Sequence, residues 1–206
     1  MAVAVAEARG FCLTVPMIQA FAAIPPPSGQ TLRLLTAQGV PPDLFTTLCQ
    51  HLHKTLRQDN ALQDLFWWQQ SVPDAQKGAL DDFAAFCRGC LLILLSAPDD
   101  PGTIVGIGWL KDIIPGVQAY MGVWYAKAYR QQHNPTPITR AILGWALQDL
   151  ALPVLWAQSI HPGAQQHLLE CGGETWATIP DYAYFQGKRH SVIIMRIAMD
   201  TWVPIL

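Results

Sequence analysis

Three side chains in the later part of the chain, Tyr120, Tyr125 and His161, are of types that move protons. A phenol or an imidazole can protonate a departing anion or relieve an amine of its proton. Tyr120 and Tyr125 are five residues apart, so an extended segment puts them on opposite faces and either can point into a site. Asp112 and Glu174 qualify as bases by residue type alone. Cys87-Arg88-Gly89-Cys90 has the spacing of a redox or zinc pair. It falls at a predicted helix end and no second ligand pair exists, so it reads as two ordinary thiols. His51 and His53 are two apart on a helix and diverge; His161 and His167 are six apart, about 240° around a helix. No metal site is expected, and these histidines read as solvated or core. Phe66-Trp67-Trp68 reads as core, with a substrate or partner groove as the alternative. Serine-triad order, GxxxxGK and HExxH are absent. Gly106-Ile107-Gly108 lacks the third glycine of a dinucleotide fingerprint and reads as a bulge or close packing.

The elements that must position these groups follow from periodicity. Thr31–Ala37 reads as a strand, and Leu44, Phe45, Leu48, Leu52 and Leu56 recur at helical spacing. Residues 61–70 are ambiguous. Pro73-Asp74 opens a second helix with Leu80, Phe83, Ala84 and Phe86 on its apolar side. Leu91–Ser96, Thr103–Lys111 and Val117–Tyr125 are strands joined by turns at Pro98–Gly102 and Asp112–Gly116, which makes an antiparallel meander. Ala126–Pro135 reads as a loop. Thr136 can cap a helix over Ile138–Leu150, with Pro137 in its first turn. A strand Pro153–Ile160, a helix from Pro162 to Glu170 stopped at Cys171-Gly172-Gly173, and strands Glu174–Ile179 and Arg189–Ala198 complete the order β-α-α-β-β-β-α-β-α-β-β. That order predicts an α+β fold with helices on the faces of one sheet.

Composition bounds the function. Of 206 residues, 51% are hydrophobic and 14% charged, so wholesale disorder is excluded. Thirteen Lys+Arg against fifteen Asp+Glu give −2, with no electrostatic footprint for nucleic acid or an anionic membrane. No apolar run reaches the length of a bilayer span; the nearest, Phe11–Ile24, holds Pro16 and Gln19. Residues 1–29 read as an N-terminal arm ending in Pro25-Pro26-Pro27-Ser28-Gly29, and residues 30–206 as the domain. A signal peptide is the other reading of the arm, but a basic start is missing. Five cysteines, an odd and sparse set, fit a reducing cytoplasm better than a disulfide framework.

Two stretches resemble the GNAT superfamily of acyl-CoA-dependent N-acyltransferases. Met121-Gly122-Val123-Trp124-Tyr125, followed by Tyr129-Arg130, a loop and the helix Ile138–Leu150, looks like the family's central strand, pyrophosphate loop and following helix. Val154-Leu155-Trp156-Ala157, then His161-Pro162 and Leu168-Leu169-Glu170-Cys171-Gly172-Gly173, is similar to its fifth strand and the helix after it. Pro180-Asp181-Tyr182, Gln186–His190 and Ser191–Ile197 suit its final hairpin. The resemblance covers about residues 30–200. It implies a GNAT-like, mixed but mostly antiparallel central sheet flanked by helices. It also implies acetyl-CoA or another acyl-CoA as cosubstrate and an amine, small-molecule or protein, as acceptor. Splayed central strands would admit the pantetheine arm, with the pyrophosphate at a helix N-terminus. The residues placed there are Val123, Tyr125, Arg130, Gln131, His133, Asn134, Thr136, Ile138 and Ser159.

The sequence departs from the family pattern Arg/Gln-x-x-Gly-x-Gly/Ala. Arg130-Gln131-Gln132-His133-Asn134-Pro135-Thr136 has no glycine, and His133 and Pro135 fall at the glycine positions on one alignment. Proline supplies no N–H. The position that is often a tyrosine general acid holds Leu169. Two functions therefore stay open: transfer of an acyl group from acyl-CoA to an amine, and a catalytically inactive GNAT-fold module that binds a protein partner, for example in phage or prophage assembly, or a second copy of itself.

Overall fold

Cys90–Ser96 (β2) is buried at every residue, and its alternate side chains enter two different cores. Leu91, Ile93 and Leu95 face one; Cys90, Leu92 and Leu94 face the other. This is why the segment reads as a continuous apolar run: it is an inner strand covered on both faces. The computed structural model describes residues 31–35, 37–97, 100 and 103–202. The arm placed at residues 1–29 lies outside them.

The other strands are Thr31–Leu35 (β1), Ile104–Ile114 (β3), Gln118–Tyr125 (β4), Val154–Ser159 (β5), Glu174–Phe185 (β6) and Lys188–Ala198 (β7). They form one seven-stranded sheet in the order β1-β2-β3-β4-β5-β7-β6. All neighbours are antiparallel except β4 and β5. The expected α+β class and the β2-β3-β4 meander are both present.

The helices lie in two layers. Pro42–Gln58 (α1), Ala61–Leu65 (α2) and Leu80–Arg88 (α3) pack Phe45, Leu52, Leu56, Leu62 and Phe83 against one face. Thr136–Gly144 (α5) and Pro162–Glu170 (α6) pack Ile138, Ile142, Leu143 and Leu168 against the other. Lys127–Gln132 (α4) bridges the end of β4 to α5.

Several expectations are corrected. Ala126–Pro135 is not a plain loop, because Lys127–Gln132 is helical. Ala126 lacks a capping side chain, and the Asp59 carboxylate from the end of α1 accepts the Lys127 N–H at 2.7 Å instead. This long-range cap is invisible to local reading. The helix expected from Pro73-Asp74 is a short 3₁₀ turn, Asp74–Gln76, broken by Gly78 at φ +64° before α3 begins at Leu80. Leu80, expected on the apolar side, is exposed. Asp112 belongs to β3 rather than to a turn; at φ 51° it sits in an irregularity between Lys111 and Ile114. The 138–150 helix ends as a π turn over Trp145–Asp149. Strand β6 continues past Ile179, with a register shift up to Ala183 around Pro180-Asp181.

Leu155 on β5 is fully buried where β4 and β5 meet. Leu155→Ala should cost about 2–5 kcal/mol of stability, read by urea denaturation, since a cavity adds to the lost transfer energy. A loss under about 1 kcal/mol would contradict this packing.

Candidate active site

Strands β4 and β5 pair over three positions only: Gln118 with Val154, Ala119 with Leu155, and Tyr120 with Trp156. Beyond them the strands part. Met121 to Tyr125 stay bonded to β3, while Ala157 to Ser159 stay bonded to β7. The facing edges of both strands are left without each other. Trp156 Nε1 donates to Gln118 Oε1 at 2.9 Å, so a side-chain bond pins the vertex of the V.

The opening leads into a cavity of about 800 Å³. Its walls come from both faces of the sheet. Met121, Val123, Tyr125, Ala157 and Leu168 line it on the α5–α6 side; Trp67, Phe86, Trp109, Tyr120 and Gly122 line it on the α1–α3 side. Glycines make the passage possible. The Tyr125 ring lies on Gly106, where an added Cβ would come within 2.7 Å of Cδ1. The Trp109 ring lies on Gly122, where any Cβ would collide with it. Close ring packing is thus the use of Gly106, as the sequence suggested.

Of the residues singled out from sequence, Tyr120, Val123, Tyr125, Arg130, Ser159 and His161 all line this cavity. Gln131, His133 and Asn134 are exposed on the segment outside it. The His133 ring stacks on Tyr129 at 4.7 Å. Asn134 Oδ1 accepts the Thr136 N–H at 3.0 Å. Thr136 is the first residue of α5 and not its cap. Ile138 is buried in the core. Ser159 Oγ accepts the His161 N–H at 2.9 Å and so fixes the turn into α6.

Two polar groupings stand in the cavity wall. On the α5–α6 side the buried Tyr125 hydroxyl lies 2.7 Å from Thr139 Oγ1, and Thr139 Oγ1 lies 2.7 Å from His167 Nε2. Burial raises the Tyr125 pKa, opposed by the bond to Thr139, so the phenol keeps its proton. Burial also lowers the His167 pKa, with Glu170 pulling the other way. Cys171 lies 3.9 Å from His167, and burial pushes its thiol up to about 12. On the other side His161 Nε2 lies 3.7 Å from Asp64 Oδ1. Burial raises the Asp64 pKa, opposed by His161 and Arg130.

His167 carries a pH prediction. Its folded pKa is below its unfolded one, so the unfolded chain binds more protons between the two values. Stability due to this site is complete above pH ~6.5 and is lost as pH falls through the folded pKa. His167→Gln should remove that part of the slope, seen as a flatter melting temperature as pH falls below about 6.5; an unchanged slope would refute the assignment.

Asp64, Thr139, His167, Trp109 and Lys111 are cavity or relay residues that the sequence did not single out as functional. A partial signal existed for His167: Gly163, Ala164, His167 and Leu168 follow i, i+1, i+4, i+5, one face of a helix. The resemblance placed Leu169 at the acid position, but Leu169 is 44% exposed and points away; His167 and Leu168 face the cavity. Phe66 and Trp67 are buried, as expected for core, whereas Trp68 is 43% exposed and lines the cavity. Cys49, Cys87 and Cys90 share one hydrophobic core and are all buried free thiols.

No protein-family model and no curated protein matches the sequence. Solved structures do match. A spermidine N-acetyltransferase from Vibrio cholerae, in complex with CoA and spermine, superposes with TM-score 0.63 at 14% identity, covering 84% of this chain and 97% of that one. A ribosomal-protein-S5-alanine acetyltransferase from Vibrio fischeri gives 0.63 at 12% identity, covering 90% and 100%. A ribosomal L7/L12 α-N-protein acetyltransferase in complex with CoA gives 0.60 at 14%, covering 82% and 95%. With its parted parallel strands and two helical layers, the chain has the fold of the GNAT N-acyltransferases, in a divergent form without glycine in the segment after β4.

Proposed function

We propose that this protein transfers an acyl group from acyl-CoA to an amine. The observation that carries the reading is the parting of β4 and β5 into a cavity of about 800 Å³ lined from both faces of the sheet. A slender pantetheine arm suits that gap, since its amides can pair with the strand edges left free. Acyl-CoA supplies a thioester carbon, which the amine nitrogen attacks; a C–N bond forms, the C–S bond breaks, and CoA leaves as a thiolate. His161, beside Asp64, is placed to take the amine's proton. Tyr125, bonded to Thr139 and through it to His167, is placed to protonate the thiolate. Tyr120 borders the vertex and orients the acceptor. Proximity of the two substrates supplies much of the rate.

The phosphate end is poorer. Pro135 and Pro137 lack N–H groups, and the Thr136 N–H is engaged by Asn134. Arg130, exposed at the cavity rim, is the charged donor available there. These features favour the second reading, a partner-binding module that no longer turns over. Thermal melting separates the two. Millimolar acetyl-CoA should raise the melting temperature, and Arg130→Ala should reduce the shift. An unmoved melting temperature would leave the non-catalytic module.

A further inference from the structure

We infer that the acceptor end of the cavity takes a singly charged amine carried on a flat aromatic or bulky apolar group, and that it excludes polyamines. The inference rests on the acyl-transfer reading and names its second substrate.

On the α1–α3 side the wall is built from rings: Trp67, Trp68, Phe86, Trp109 and Tyr120. They hold one another in place. Phe86 meets Trp109 edge-on at 5.7 Å and 78°, and Trp67 meets Trp68 at 6.2 Å and 82°. Trp109 is further held flat against Gly122, which leaves no room for any side chain beneath it. A preorganised slot of aromatic faces binds a flat apolar body at low ordering cost.

The same cavity is lined by three carboxylates, Asp59, Asp64 and Asp112, against two cations, Lys111 and Arg130. Lys111 Nζ lies 5.7 Å from the Trp68 ring centre and 5.8 Å from that of Tyr120, so this chain's own ammonium takes the cation–π positions. Asp112 lies 3.8 Å from Lys111. Asp59 accepts the Lys127 N–H. Asp64 is the half-buried carboxylate left to receive an incoming ammonium, beside His161. Its carboxylate is only partly exposed and lies 3.7 Å from His161, so one cation can pair with it at limited desolvation cost. A second or third ammonium would have to shed water and then meet Lys111 or Arg130. The charge count thus fits one positive group on the acceptor, and the rings fit what carries it.

The test uses the full chain with acetyl-CoA and four acceptors: 2-phenylethylamine, tryptamine, spermidine and spermine. Release of the CoA thiol gives turnover, and calorimetric titration of each amine without donor gives binding. The aryl amines should exceed the polyamines at least about 10-fold in kcat/KM, the range an apolar pocket group commands. Trp109→Ala should lower kcat/KM for the aryl amines about 10- to 100-fold while leaving the acetyl-CoA melting shift intact. Lys111→Glu should raise spermidine turnover about 10-fold, and serves as the second variant if Trp109→Ala does not fold. Polyamine preference, or aryl-amine turnover indifferent to Trp109 and Lys111, overturns the inference. If acetyl-CoA neither binds nor turns over, the transferase reading falls; calorimetry then still decides the slot, since tighter binding of spermidine than of 2-phenylethylamine refutes it and the reverse order supports it.

Discussion

Tyr125→Phe should lower kcat about 10²-fold or more, the scale of a lost general acid, with little change in acetyl-CoA binding. The ring is held by packing on Gly106 and against Tyr129 at 6.1 Å, and phenylalanine keeps both contacts. What disappears is the hydroxyl and its 2.7 Å bond to Thr139. Burial keeps that hydroxyl protonated, so at neutral pH it acts as a donor. The direction of the chain depends on His167. When Nε2 carries a proton it donates to Thr139, Thr139 donates to Tyr125, and the phenol proton is free to face the cavity. When Nε2 is bare the order reverses and the phenol donates to Thr139. Thr139→Val should therefore lower kcat in the same direction without removing the phenol. The stability cost of Tyr125→Phe should be about 1 kcal/mol, that of one hydrogen bond. An undiminished kcat would assign Tyr125 to packing alone.

The second large effect is expected at Gly122. Valine there must push the Trp109 ring off strand β4, because even a single Cβ collides with it. Overpacking of this kind costs about 1–3 kcal/mol, measurable as a shift of the urea midpoint. The displaced indole would also fill or deform the acceptor end, so turnover should fall about 100-fold or more for every amine. The α5–α6 side, to which we assign pantetheine, is lined by Val123, Tyr125 and Leu168, which face away from Trp109, so the acetyl-CoA melting shift should persist. Wild-type turnover in Gly122→Val would show that Trp109 does not bound the acceptor end.

Much of the fold was readable from local pattern, because each element states its burial in its period. The all-apolar β2, the turn-separated β3 and β4, and the glycine stop after α6 are cases in which neighbouring residues suffice. The parallel contact of β4 with β5 was legible only through the family resemblance, since three paired residues leave no periodic mark. Helix α4 was missed because its cap, Asp59, is 68 residues away from Lys127. The site was partly legible. Tyr120, Tyr125, Arg130, Ser159 and His161 converge on one cavity, but Asp64 lies in a stretch of ambiguous period and His167 read as a solvated or core histidine. Their meaning comes from what faces them across the fold: His161 for Asp64, and Thr139 for His167. Trp109 and Lys111 read simply as strand residues, and their place in the wall follows from the glycine opposite one and the rings beside the other.

The aperture between β4 and β5 has walls contributed by opposite faces of the sheet. A transferase built on that plan can hold donor and acceptor together in one ternary complex, so the amine meets the thioester directly. Double-reciprocal initial-rate plots would then intersect to the left of the ordinate instead of running parallel, and no covalent acyl-enzyme would accumulate in a rapid-quench burst.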